Sequence, residues 1–166
     1  MENDRIIIGA PAIFNTGGKV YVYDLSGNQI DVVTNPTNTS DHFGNVVAVG
    51  DGKVVVGAPR GEEPGGSYIN SGVAYIYDFD GNTLTNEKAV YPDQATTQHF
   101  DQFGTAAAIG NGKIAIGNRN SNAFNTTTGT VYTYDLDGSN VNLITPSDGR
   151  AEDFFGDSVA IRHNKI

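Results

Sequence analysis

Paired carboxylates are the first residues in this chain that could do chemistry. Asp78-Phe79-Asp80-Gly81 and Asp135-Leu136-Asp137-Gly138 each place two carboxylates two residues apart, a spacing that can open a calcium loop. No acidic ligands follow downstream, and the matching stretch near the N-terminus has Ser26 where the second Asp would stand. Asp and Gly are also what a hairpin turn selects, because Asp bonds its own backbone and Gly accepts a positive φ. Turn chemistry is the expectation, and no metal or other cofactor is expected. Asp41, Asp101 and Asp153 form a second set, each two residues before a Phe-Gly pair. A catalytic acid is needed once per active site, whereas a residue recurring in step with a repeat is expected to satisfy backbone N–H groups in a turn.

Other chemistries lack their residues. His42, His99 and His163 do not occupy equivalent repeat positions and show no zinc spacing. There is no Gly-x-Ser-x-Gly elbow, no glycine loop followed by Lys-Ser/Thr, and no cysteine for thiolate or disulfide chemistry. The chain is therefore expected to be non-enzymatic, with no catalytic residue. Two long, dissimilar loops remain, from Arg60 to Asn70 and from Asn118 to Asn125. Variable loops on a rigid scaffold are where recognition usually sits, so Arg60, Glu62, Tyr68, Arg119 and Phe124 are the candidate contact residues. The alternative is that these are solvent loops without a partner.

The elements that carry those loops recur. Phe43-Gly44, Phe103-Gly104 and Phe155-Gly156 open three copies of one unit, spaced by about 50 to 60 residues. Each opening leads to a short apolar run; in the copies opened by Phe43 and Phe103 come a glycine turn and then Lys-(apolar)3-Gly. The apolar strands end at Gly9-Ala10-Pro11, Gly57-Ala58-Pro59 and Gly117-Asn118-Arg119. Tyr21/Tyr23, Tyr75/Tyr77 and Tyr132/Tyr134 mark the next strand, closed by Gly27, Gly81 and Gly138. Gly50-Asp51-Gly52 and Gly110-Asn111-Gly112 between apolar runs are hairpin signals. A weaker fourth strand is expected from Thr83-Leu84 to Val90-Tyr91, and no amphipathic helix is visible.

The second strand is apolar at successive positions, which implies burial on both faces. A four-stranded antiparallel sheet covered on both faces by copies of itself is a propeller blade. The expected fold is thus all-β, with about three β-propeller blades in one segment spanning 1–166. The blades are expected at roughly 5–40, 41–98 and 99–150, with the closing first strand at 153–166. Three blades cannot close a ring, since propellers have about four to eight. The ring is expected to be completed by other chains, through strand exchange, or by a longer parent.

At 166 residues with 38% apolar content, 21 Gly and 17% charged residues, the composition suits a β-rich, turn-rich protein. The net charge of -9 with scattered basic residues argues against nucleic acid as a partner. No apolar run approaches the roughly 18 residues a membrane span needs, so membrane insertion is not expected.

These residues resemble the FG-GAP repeat, the blade unit of integrin α-subunit propellers. Phe43-Gly44 through Gly57-Ala58-Pro59 carries both halves of the signature, while Gly9-Ala10-Pro11 and Phe155-Gly156 supply single halves. The third copy departs, with Gly117-Asn118-Arg119. A looser similarity is to repeat proteins of marine bacteria and their phages, where such arrays occur among virion structural proteins. The resemblance implies a structural or adhesive role, extracellular or on a virion surface, through contacts with the chain itself, neighbouring structural proteins, or a cell-surface protein or glycan. A repeat-bladed lectin and a propeller hydrolase or lyase are the alternatives. Many FG-GAP blades bind calcium between their first two strands, but Gly50-Asp51-Gly52 and Gly110-Asn111-Gly112 are too short and oxygen-poor to surround that ion.

Overall fold

A computed structural model describes residues 4–12, 17–37, 39–66, 68–92, 99–121 and 127–162. Within them lie eleven strands and no helix. The first sheet holds β1 (Arg5–Ala10), β2 (Lys19–Asp24) and β3 (Gln29–Thr34), in that order. The second holds β4 (Val46–Gly50), β5 (Lys53–Ala58), β6 (Val73–Phe79) and β7 (Leu84–Val90). The third holds β8 (Phe103–Gly110), β9 (Lys113–Asn118), β10 (Thr130–Asp135) and β11 (Asn142–Ile144). Every pairing within the sheets is antiparallel between sequence neighbours.

This meander is what the turn residues demand. Asp51 and Gly52 both have positive φ, as do Asn111 and Gly112, so β4–β5 and β8–β9 close through two-residue turns whose twist matches the strands. Among the described residues the first sheet has no counterpart of β4 and β8. Among the described residues that follow Gly156, residues 157–162 form no strand, and the end of the expected closing strand lies outside the described residues.

Side-chain alternation then stacks the sheets. Successive residues of a strand face opposite sides, so the Tyr rings of β6 and their Ala and Ile neighbours serve different interfaces. Tyr75 and Tyr77 pack with Val54, Val56 and Phe43 against Val20 and Val22 of the first sheet. Ala74, Ile76 and Val55, from the opposite face, pack against Ile114, Ile116, Tyr132, Tyr134 and Phe103. β5 is consequently buried from Val54 to Ala58, the two-sided burial that its unbroken apolar run predicts. Phe43 and Phe103 are fully buried, each edge-on to a tyrosine of its own sheet: Tyr75 at 5.4 Å and Tyr132 at 5.5 Å.

The signature glycines explain how closely the sheets approach. A Cβ on Gly9, Gly57 or Gly117 would lie 2.0, 2.0 or 1.9 Å from the carbonyl oxygen of Gly44, Gly104 or Gly156, respectively. The partner glycines have φ near +90°, a conformation glycine adopts without strain. A parallel contact sets Gly18, Gly72 and Gly129 against the backbone of Phe43, Phe103 and Phe155. Gly-Ala-Pro and Phe-Gly are therefore two halves of one joint, contributed by consecutive repeats.

Replacing Gly57 with Ala should cost more than about 4 kcal/mol or prevent folding, because neither backbone can retreat. Gly52→Ala, where a Cβ meets nothing within 4 Å, should cost about 1 to 2 kcal/mol from its positive φ alone. Urea unfolding of the two variants measures the difference, and equal losses would refute the joint.

Candidate functional site

A meander delivers alternate connections to opposite ends of the sheets. At one end are the short hairpin turns, and at the other the longer connections β3–β4, β5–β6, β7–β8 and β9–β10.

The paired carboxylates lie at the short-turn end. Asp80 accepts bonds from the backbone N–H groups of Asn82 and Thr83, both at 2.8 Å, and from the Thr83 hydroxyl. Asp137 accepts from the Ser139 N–H and hydroxyl, and Asp24 from the N–H and amide of Asn28. Asp78 pairs with Lys53 and Asn86, and Asp135 with Lys113 and Asn140. These donors hold all five carboxyls below the usual carboxylate range: Asn28 first for Asp24, Lys53 for Asp78, Thr83 for Asp80, Asn140 for Asp135, Ser139 for Asp137. The oxygens are thus committed to turn donors and lysines.

The recurring Asp before Phe-Gly lies at the opposite end, and its copies differ. Asp41 is buried; its Oδ1 accepts from Phe43 N at 3.0 Å and Asn35 Nδ2 at 2.7 Å, and its Oδ2 accepts from the Thr37 hydroxyl. Asp101 is also fully buried, and its carbonyl accepts the Asn120 N–H, as the Asp41 carbonyl accepts that of Arg60. Asp153 is exposed and accepts from Arg150 N instead. The residue after each Asp (His42, Gln102 or Phe154) takes a left-handed backbone conformation, which turns the chain into Phe-Gly.

Two hollows flank Arg60 on this rim. One, of about 320 Å³, is lined by Thr37, Ser40, Asp41, Arg60, Glu62 and Tyr75 among others. Burial, then the nearby Asp41 charge, pushes the Tyr75 hydroxyl above its ordinary range. The second, of about 240 Å³, joins His42, Asn45, Pro59 and Arg60 to Gln102, Thr105, Arg119 and Asp157. Arg119 stacks over the Phe154 ring at 4.6 Å and meets Asp157 at 3.3 Å. Burial, then the Arg60 charge, holds His42 below the usual imidazole range, with Asp41 opposing.

Of the candidate contact residues, the structure thus brings Arg60 together with Glu62 in one hollow and with Arg119 in the other. Tyr68 stands apart, edge-on to His99 at 5.5 Å, whose Nδ1 accepts the Ile69 N–H. Phe124 lies outside the described residues. His42, Gln102, Thr105 and Asp157 had no place among the expected contacts. Their only signal was adjacency to Phe-Gly in successive copies. The departure from Gly-Ala-Pro also has a structural consequence: Asn118, where the other copies have Ala10 and Ala58, is fully buried beside Thr130.

Stacked antiparallel sheets joined at repeated Phe-Gly contacts define a β-propeller-type module. The sequence pattern of the FG-GAP repeat matches residues 29–77 and 139–166. The first match contains the complete joint from Phe43-Gly44 to Gly57-Ala58-Pro59, and the second contains Phe155-Gly156. No curated protein matches the chain.

Asp41→Ala should cost about 2 to 4 kcal/mol, since it leaves the buried Phe43 N–H without an acceptor and the Asn35 amide with only the Thr39 carbonyl. Asp153→Ala should cost less than about 1 kcal/mol; comparable losses in denaturant melts would refute the difference between copies. The turn carboxylates set a pH dependence whose sign follows from their lowered folded-state values. Their contribution is present above the unfolded value of 3.8 and disappears as pH falls through the lower folded values. Melting temperature should therefore fall between about pH 5 and pH 2, and Asp80→Asn should flatten that fall. An unaltered slope in the variant would contradict this origin.

Proposed function

We propose that this chain is a non-enzymatic structural or adhesive module, extracellular or carried on a virion, that makes protein–protein or glycan contacts through its loop rim. Its stack of blades is completed by further blades of the same kind, supplied by a second copy of the chain or by a longer parent. One observation carries this reading. Ile6 and Ile8 of β1 are 43% and 45% exposed, whereas their repeat equivalents Val54, Val56, Ile114 and Ile116 are fully buried. Tyr21 and Tyr23 are likewise only half-buried where Tyr75, Tyr77, Tyr132 and Tyr134 are buried.

At both internal joints the equivalent face is covered by the preceding sheet, so the surface has the shape and chemistry for another blade. Each isoleucine leaves on the order of 1 kcal/mol of burial unrealised. The edge of β1 also presents unpaired backbone groups, which a strand from a second chain could pair. Two chains would supply six blades, within the range of closed propellers. The repeat-bladed lectin fares less well because the loops differ from copy to copy, and the hollow bearing Asp41 and Tyr75 is built from a single joint.

Light scattering on the purified 166-residue chain should return the mass of a dimer. Ile8→Asp, which puts a charge on the exposed face, should shift it to monomer while leaving the far-UV spectrum unchanged. A wild-type monomer at all concentrations would overturn the self-completed ring.

A further inference from the structure

Three residues that line one hollow, His42, Thr105 and Arg119, each carry a buried polar atom with no partner among the described residues: Nε2, Oγ1 and Nε. Unsatisfied buried groups are rare in native proteins. Others occur here on Arg5, Asn118, Ser121, Thr128 and Thr130, but these three belong to residues lining a single hollow. The Arg119 guanidinium is already located on two sides, by the Phe154 ring and by Asp157. Its Nε is a donor and nothing else, and the Thr105 hydroxyl and the neutral His42 imidazole can each donate as well as accept. Arg60 adds a second cation to the wall and makes no ion pair among the described residues.

The occupant must therefore be an acceptor, and the charges say which kind. Arg60 and Arg119 against Asp157 leave a net positive lining in a chain whose overall charge is -9. That excludes a cation and favours an oxyanion, for which a guanidinium edge is the strongest protein donor. The hollow's 240 Å³ is smaller than the roughly 300 to 1,000 Å³ of sites that enclose a whole small molecule. It suits a single side chain. Its walls come from the approaches to two consecutive Phe-Gly joints, at Phe43 and Phe103, so it exists only where sheets have stacked.

We propose that this hollow receives the carboxylate of a Glu or Asp side chain projected by a partner protein, held by Arg119, Thr105 and His42 with Arg60 beside it. The inference rests on the reading of the loop rim as a contact surface, and it does not depend on the oligomeric state.

The test uses the full chain and N-acetyl-Gly-Glu-Gly-amide as probe, followed through the imidazole resonances in long-range proton–nitrogen spectra. His42 should shift saturably while His99 stays fixed, and the Gln analogue of the peptide should leave both unmoved. Arg119→Gln should weaken the effect at least about tenfold, the worth of a charge-assisted bond. Thr105→Val, which keeps the shape and removes one donor, should weaken it by a smaller factor. Circular dichroism establishes that both variants fold. No saturable shift at His42, an equal response to the Gln peptide, or full affinity in a folded Arg119→Gln variant would overturn the proposal. Binding of glucuronate but not of the peptide would overturn it too, by assigning the hollow to a sugar acid. The light-scattering test of the dimer is unaffected by any of these outcomes.

Discussion

Backbone meets backbone directly where neighbouring sheets join. Where β5 ends, the α-carbon of Gly57 lies so near the carbonyl of Gly104 that no side-chain atom fits between them, and the same approach recurs from Gly9 to Gly44 and from Gly117 to Gly156. Sheets normally pack with their backbones about 10 Å apart, separated by side chains. Here one corner of each interface closes to backbone contact, while Phe and Tyr rings fill the rest of it.

Everything else in the interface follows from the pinned corner. With the glycines in contact, Phe43 and Phe103 have only the space between neighbouring sheets to occupy, and the tyrosine pairs of β6 and β10 fill the remainder. The left-handed residue before each Phe and the Asp before it bring the chain into the joint at the required angle. In the Phe43 copy the carboxylate bonds directly to the phenylalanine N–H. The loop rim is then positioned by the same joints, because the connections that end in Phe-Gly start from the preceding blade. Contact residues on that rim are shared between repeats as a consequence, not contributed one set per repeat.

The repeats are unequal in what they do with this scaffold. The second sheet is enclosed on both faces, the first leaves Ile6 and Ile8 exposed among the described residues, and the third replaces Ala with the buried Asn118. A face made for a neighbour and a rim hollow carrying unsatisfied donors are both demands on partners, one apolar and one ionic. They differ in physics as well: burial of Ile6, Ile8, Tyr21 and Tyr23 would supply affinity, and the guanidinium edge would supply selectivity.

Most of the fold was legible along the chain because its signals are local. The alternation of Tyr with smaller residues, the Asp-Gly and Asn-Gly turns and the unbroken apolar run of β5 each act within a few residues of their own position, so strand order and two-sided burial could be read from them. The use of Asp80 and Asp137 in turns was legible for the same reason, their donors lying two or three residues away. The candidate site was not. Arg60 and Arg119 occupy different positions in their repeats, one after Pro59 and the other in place of it, and only the stacking of the sheets brings both to one hollow with His42 and Thr105. Tyr68 and Arg119 looked alike as loop residues, yet one packs on His99 and the other reaches the joint. The sequence by itself determined the repeating unit, its strands and the glycine joint, since periodicity and backbone sterics are properties of short segments. Which rim side chains meet, and which of their donors go unanswered, was decided by the tertiary structure, because that depends on the offset between successive blades and no single repeat contains it.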